Sequence, residues 1–128
     1  MAASTRERGL AAEALVAARL EAAGWTILDR NIRVGRLEID LLAVDPGPPA
    51  RLVAVEVRSR GRRDFGLPEE TVDGRKLGRL RVALGRLAAE GALSDGRRLP
   101  RLPPAIDVVA VEARPTGPTV RHLKSVGG

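Results

Sequence analysis

The chain has 128 residues with no cysteine and one histidine, and its formal net charge is +6. This length predicts a single domain over residues 1–128 that folds on its own. The lack of cysteine excludes disulfides, thiol nucleophiles and cysteine-based zinc sites, and the lone His122 offers no Ser-His-Asp triad. Any catalysis must therefore use carboxylates, basic groups or a bound metal ion.

The N-terminal stretch and the hydropathy of the chain indicate where the protein resides. The first nine residues, MAASTRERG, lack the apolar region of a signal peptide. No run approaches the length of about 18 apolar residues that a membrane-spanning helix needs. We therefore expect a cytoplasmic protein with no membrane partner.

The positive charge is confined to one segment of the chain. Residues 51–101 hold 13 Lys and Arg against 7 Asp and Glu, whereas the remainder holds 9 of each. Such a segment suits a polyanion, because each phosphate neutralised by Lys or Arg releases counterions. A solvated surface rich in arginine is the alternative interpretation. Trp25 and Phe65 are the only aromatic residues, which argues against a surface that stacks bases.

The N-terminal residues predict an amphipathic helix with a carboxylate on its apolar face. The letters STRE at 4–7 form a capping box, and Gly24 predicts the end of the helix. At about 100° per residue, Glu13 falls in the middle of the apolar arc. A glutamate there is costly unless it is paired, hydrogen-bonded or metal-bound. The arc consists of Leu10, Val16, Ala17 and Leu20.

The rest of the chain predicts strands and one further helix. Three strands, WTILDRNIR at 25–33, RLEIDLLAVD at 36–45 and RLVAVEVRS at 51–59, form a predicted meander. A polar loop over 59–72 is long enough to be functional. Asp73 is a predicted N-cap of a second helix to about Ala89, with the apolar stripe Leu77, Leu80, Leu84 and Leu87. Strands at 105–113 and 119–124 complete the order αβββαββ.

Acidic and basic side chains interrupt the third strand where aliphatic residues are expected. Glu56 and Arg58 share one face of this strand, and Asp40 lies on the neighbouring strand of the meander. Two close carboxylates repel each other unless a cation bridges them, and Mg²⁺ takes one or two carboxylates with waters and phosphate oxygens. The pattern predicts a metal site that Glu13 joins directly or through water. The alternative is that ordinary ion pairs neutralise these carboxylates. Arg58 would then pair with Glu56 or Asp40, and Arg6 or Arg33 would pair with Glu13.

The combined motifs resemble the YraN family of small bacterial proteins over nearly the whole chain. The stretches that carry this resemblance are RGLAAEALVAARLEAAGWTILDRNIRVGRLEIDLLAVD, LVAVEVRSRGRRDFGLPEETVDGRKLGRL, IDVVAV and VRHL. The positions that match the family's motifs are Ala12-Glu13, Asn31 and Arg33, Glu38-Ile39-Asp40, Glu56-Val57-Arg58, Phe65-Gly66 and Lys76. The resemblance implies an α/β fold with a restriction-endonuclease-like core, in which helices flank a central mixed five-stranded sheet.

The resemblance also implies a Holliday-junction-resolvase-like nuclease site of the PD-(D/E)-x-K type. We expect Asp40 and Glu56 to bind Mg²⁺ or Mn²⁺, with Glu13 in support. Arg58 stands where the family usually has lysine, and a guanidinium stays charged and cannot act as a base. The expected phosphate contacts are Arg33, Arg60, Arg62, Arg63, Arg75, Lys76 and Arg79.

Three functions follow from these expectations. The first is a metal-dependent endonuclease that acts on DNA, including branched DNA. Because resolvases of this fold act as homodimers, the resemblance implies a homodimer. The second is a nucleic-acid-binding module that keeps the fold without turnover. The third is an interaction protein whose basic surface binds an acidic partner.

Overall fold

The computed structural model describes residues 5–60 and 74–126 as two helices and five strands. In chain order these are α1 Thr5–Ala22, β1 Thr26–Val34, β2 Leu37–Asp45, β3 Arg51–Arg60, α2 Gly74–Glu90, β4 Pro104–Glu112 and β5 Thr119–Leu123. The predicted order αβββαββ is confirmed, with boundaries that agree to about one residue. Ser4, Asp73 and most of the predicted functional loop lie outside the described residues.

The strands form one mixed sheet in the order β1-β2-β3-β4-β5. The first three strands are antiparallel neighbours, β3 and β4 are parallel, and β4 and β5 are antiparallel. Two parallel strands need a crossover connection, and α2 lies in the one between β3 and β4. The α/β class and the mixed five-stranded sheet implied by the sequence are therefore confirmed.

Each face of the sheet carries one helix and one apolar cluster. On the first face, Val16, Ala17 and Leu20 of α1 pack with a cluster that includes Leu41 and Val53. On the second face, three leucines of α2 pack with β2, β3 and β4 residues. Because strand side chains alternate between faces, the central strand β3 needs apolar residues at consecutive positions. This requirement explains the run LVAV at 52–55, in which every residue is buried.

The buried face of α1 differs in one respect from the predicted arc. Leu10 is 46% exposed, so its assignment to the apolar face is wrong. At about 100° per residue Leu10 lies beyond Ala17 at the edge of the arc, outside the part that the sheet covers. Ala12 is buried instead. Among the described residues, neither helix is long and apolar enough to cross a membrane.

A buried carboxylate anchors the end of the sheet where β3 begins. Asp107 on β4 is fully buried and accepts hydrogen bonds from the Arg51 guanidinium, from His122 Nε2 at 2.8 Å and from the Ser125 backbone N–H at 2.9 Å. Arg51 also donates to Asp45. The only histidine thus has a structural position that ties β5 to β4.

These hydrogen bonds decide the charge state of Asp107. Burial alone would raise its pKa, but hydrogen bonds from His122, Arg51 and Ser125 outweigh burial and lower the pKa to about 2. A folded-state pKa below the unfolded value stabilises the fold above that unfolded value and loses this stabilisation as the pH falls.

We expect about 2 kcal/mol of unfolding free energy to be lost as the pH falls from about 4 toward 2 because Asp107 becomes protonated. Urea unfolding between pH 2 and 6 measures this loss. In Asp107→Asn this part of the pH dependence should be absent, and stability near pH 6 should drop by about 3 kcal/mol because Arg51 loses its buried partner.

The matched control is Asp95→Asn, which removes a carboxylate that is paired with Arg97 at an exposed position. That variant should keep the steep loss of stability below pH 4. An equally steep loss in Asp107→Asn would contradict this account of the network.

Candidate metal and nucleic-acid site

The strands β2 and β3 separate at one end of the sheet and leave a fork. Their last backbone pair is Leu41 with Val55. Beyond it, β2 continues along β1 to the hairpin turn, and β3 continues along β4 to its last residue. The next position in the β2–β3 register brings Asp40 opposite Glu56. The fork therefore begins at these two carboxylates, and Lys76 of α2 contacts Glu56 from the face of the sheet that α2 covers.

The Asp40 side chain bridges the two strands at the base of the fork. Its Oδ2 atom accepts a hydrogen bond of 2.9 Å from the backbone N–H of Val57. The backbone pairing of β3 with β2 ends at Val55. The hydrogen bond to Asp40 therefore gives the Val57 N–H an acceptor where β2 no longer supplies one. Asp40 is thereby held against β3 and beside Glu56.

Glu56 is buried between two cations and has one oxygen with no donor. The residue is 3% exposed, and its Oε1 atom lies 3.4 Å from Lys76 Nζ and 3.7 Å from Arg58 Nε. Glu56 Oε2 and Arg58 Nε are both buried without a hydrogen-bond partner among the described residues. Buried polar atoms are nearly always satisfied, so Glu56 Oε2 leaves an acceptor open to a cation and Arg58 Nε leaves a donor open to an anion.

The electrostatics of the fork favour a bound cation. Burial raises the pKa of Glu56 to about 7 and the neighbouring Asp40 adds to the rise, while Lys76 and Arg58 oppose it. Burial also raises the pKa of Asp40, against the hydrogen bond from Val57 and the charge of Lys76. Raised carboxyl pKa values within one cleft are typical of functional sites. A divalent cation would stabilise the charged form of both groups.

Glu13 lies on α1 near Asp40 and Asn31, and the sequence analysis named Asn31 only as a family-motif position. The Asn31 side chain lies near Glu13 and acts to lower the pKa of its carboxyl group. Burial raises the pKa of Glu13, with further rises from Asp40 and Glu38. In the β1–β2 register Asn31 lies opposite Asp40, where backbone pairing is interrupted and Asn31 has a φ of +49°. The signal for Asn31 was an asparagine inside a strand, a residue that favours this left-handed conformation.

The structure separates the remaining predicted site residues into three groups. Lys76, expected to contact phosphate, lies in the first turn of α2 and contacts Glu56 instead. Arg33, Arg75 and Arg79 are exposed. The Arg60 side chain and the residues Arg62, Arg63, Phe65 and Gly66 lie outside the described part of the chain.

The described donors fit a metal of the magnesium type. Within residues 5–60 and 74–126, no three His, Asp or Glu side chains form a complete metal-binding group. Mg²⁺ does not require one, because it is often held by one or two carboxylates and completes its shell with waters and phosphate oxygens. Asp40 and the unsatisfied oxygen of Glu56 are ligands of this kind, with Glu13 placed to act through water.

Comparison with known proteins places the chain in a family. The model of the "Uncharacterised protein family UPF0102" matches residues 12–111. A UPF0102 protein of Moorella thermoacetica is 44% identical over 89 residues, which cover 70% of this chain and 68% of that relative. A UPF0102 protein of Paenarthrobacter aurescens is 38% identical over 119 residues, which cover 92% of this chain and 91% of that relative.

A solved structure also aligns with the chain. It is SfsA of Pyrococcus furiosus in complex with Ca²⁺, at 17% identity and a TM-score of 0.40, and the alignment covers 94% of this chain and 64% of that one. The residues that the family model matches include Glu13, Asp40 and Glu56. The chain therefore belongs to the UPF0102 family, which is the YraN family that its sequence resembles.

Proposed function

We propose that this protein is a metal-dependent endonuclease that acts on the phosphodiester backbone of DNA, with Mg²⁺ or Mn²⁺ held by Asp40 and Glu56. The observation that carries the proposal is the buried Glu56 Oε2, which has no donor among the described residues and lies at the fork beside Asp40. The resemblance to PD-(D/E)-x-K nucleases supports it independently of this geometry.

Individual side chains have separate roles at the proposed site. The ion, when bound, would polarise the scissile phosphate and lower the pKa of a bound water. Asp40 is already held by the Val57 N–H, so one ligand needs little rearrangement. Glu13, near Asn31 and Asp40, would accept hydrogen bonds from water at the rim of the site. Burial excludes bulk water from Glu56 and strengthens each electrostatic contact.

Lys76 takes the place of the lysine that the motif lacks. Arg58 is a permanently charged planar group and cannot act as a base, but it binds phosphate oxygens well. The Lys76 ammonium is compact and its Nζ lies closer to Glu56 Oε1 than Arg58 Nε does. We therefore assign charge stabilisation beside the attacking water to Lys76, and phosphate binding to Arg58.

A second candidate function is a nucleic-acid-binding module without turnover. Lys76 and Arg58 already offset the charge of Glu56 in the absence of any metal. Such a site can hold phosphate through its cations while the carboxylates remain structural. The two functions differ in whether divalent metal binds at Asp40 and Glu56 and whether DNA is cut.

Cleavage assays on linear and branched DNA with Mg²⁺ or Mn²⁺ test the catalytic proposal. Asp40→Asn and Glu56→Gln should abolish cleavage because each removes a metal ligand. Lys76→Met should lower kcat by about 100-fold, the usual loss when one charge-stabilising group is removed. Arg58→Lys should raise activity, because a second ammonium near the attacking water would add to the charge stabilisation that we assign to Lys76.

Lys124→Met is the matched control for Lys76→Met, since Lys124 is the only other lysine and lies beside Trp25 on the opposite face of the sheet. It should cleave at the wild-type rate. If neither the natural protein nor Arg58→Lys cuts any DNA form while both still bind DNA, the catalytic proposal is wrong and the binding module stands.

The raised pKa of Glu56 predicts how metal and pH affect stability. The folded state keeps a proton on Glu56 up to about pH 7, whereas the unfolded chain releases it near 4.5. The unfolding free energy of metal-free protein should therefore fall as the pH rises between these values, by about 3 kcal/mol from this group. Mg²⁺ at pH 8 should restore stability by binding the charged carboxylates.

Urea unfolding in chelator and in Mg²⁺, from pH 5 to 8, measures both effects. Glu56→Gln removes the titrating group, so it should show a weaker pH dependence and no response to Mg²⁺. Equal stabilisation of Glu56→Gln and wild type by Mg²⁺ at pH 8 would place the metal elsewhere.

A further inference from the structure

The exposed side of α2 carries cations that no carboxylate neutralises. The helix has five basic residues and one acidic residue, Glu90 at its last position, so its net charge is +4. Arg75, Arg79 and Arg86 are exposed, and none forms an ion pair with a carboxylate among the described residues. At about 100° per residue these three lie within about 40° of one another. They form one row about 16 Å long along the helix.

Several described arginines elsewhere in the protein are paired with carboxylates. Arg51 binds Asp45 and Asp107, Arg97 binds Asp95 and Asp29, and Arg114 binds Glu112. Each of these guanidiniums therefore has a partner within the fold and adds little open positive potential. The row on α2 has none, and its charge is available to an external anion.

The row continues from α2 onto the turn between β1 and β2. Arg86 Nη1 lies 3.1 Å from the position that a Cβ on Gly35 would occupy, so the guanidinium rests on this turn. Gly35 also has a φ of +64°, which favours glycine. Arg33 and Arg36 flank the turn, and both are exposed without a described acidic partner. We call the set Arg33, Arg36, Arg75, Arg79 and Arg86 the α2–hairpin surface.

This surface borders the fork on two sides. Lys76 follows Arg75 on α2 and contacts Glu56. Arg36 lies in the turn just before β2, four residues before Asp40. A polyanion bound along this surface would therefore extend to the two carboxylates. Cations that flank a carboxylate pair also offset its repulsion for phosphate.

The described surface offers nothing to stack bases. Trp25 is 8% exposed, with its ring 5.5 Å from that of His122 on the face of the sheet opposite the fork carboxylates. Proteins that bind single strands usually combine cations with exposed aromatic side chains. A row of arginines on a rigid helix instead suits the regular phosphate backbone of a duplex.

We propose that the α2–hairpin surface binds the phosphate backbone of double-stranded nucleic acid without reading bases, and that Arg86 and Arg36 are its distal contacts. This inference rests on the proposed function only in taking nucleic acid as the partner. It adds the preference for a duplex and two contact residues that the metal site does not use.

Binding measured by fluorescence anisotropy in chelator, without divalent metal, tests the surface. Titrations of one duplex and of a single strand of equal length are repeated between about 50 and 200 mM salt. Arg86→Ala and Arg36→Ala should each weaken duplex binding several-fold and reduce the slope of log affinity against log salt by about 0.9. The wild type should bind the duplex at least about ten-fold more tightly than the single strand.

Arg81→Ala is the matched control, because Arg81 is an exposed arginine of the same helix that lies about 140° around the axis from Arg86. It removes the same charge and should keep the wild-type slope. A wild-type slope in both Arg86→Ala and Arg36→Ala, an equal reduction in Arg81→Ala, or equal affinity for the single strand would overturn the inference.

The outcome is separable from that of the nuclease proposal. Because the titrations contain no divalent metal, a failed metal site at Asp40 and Glu56 leaves their result unchanged. A reduced slope in Arg86→Ala together with no Mg²⁺ binding would retain the surface and reject the nuclease. An unchanged slope with metal-dependent cleavage would reject the surface and retain the nuclease.

Discussion

The separation of β2 from β3 after Leu41 and Val55 is the constraint on which the site depends. Strands that remained paired would bury the Val57 N–H in the ladder and leave the Asp40 carboxylate without its backbone donor. Because they separate, Asp40 accepts that hydrogen bond and stands beside Glu56 at the edge of the core. The unusual chemistry of the site, a carboxylate inside a run of aliphatic residues, follows from this local loss of pairing.

The buried carboxylates at the two ends of the sheet differ in their hydrogen bonding and in the direction of their pKa shifts. At one end, Asp107 receives donors from Arg51, His122 and Ser125, and its pKa falls to about 2. At the other end, Glu56 keeps an unsatisfied oxygen and its pKa rises to about 7. A fully satisfied network specifies structure, whereas a buried oxygen without a donor keeps an acceptor that a ligand can use. This contrast explains why one buried carboxylate is structural and the other is a candidate metal ligand.

The exchange of roles that we propose for Lys76 and Arg58 bears on how a site of the proposed nuclease type tolerates a changed motif. The motif position on β3 carries a guanidinium, but α2 brings an ammonium to the same Glu56 oxygen. A charge that acts through space need not come from a fixed point in the chain, because its effect depends on distance and burial. The departure from the motif therefore weighs less against catalysis than it does in the sequence alone.

The sequence by itself determined the order of elements, the faces of β3 and the segment that carries the positive charge, because each is a local pattern of period or composition. Two-residue alternation predicted the faces of β3 but not those of β2, where Ile39 and Leu41 pack in different clusters. Only the tertiary structure decided the end of the β2–β3 ladder, the contact of Lys76 with Glu56, the proximity of Asn31 to Glu13 and the approach of Arg86 to Gly35. It also decided that Leu10 is exposed, since helix periodicity defines an arc but not how much of it the sheet covers. These features join residues far apart in the chain, and their positions depend on how helices pack across a twisted sheet, which no local pattern encodes.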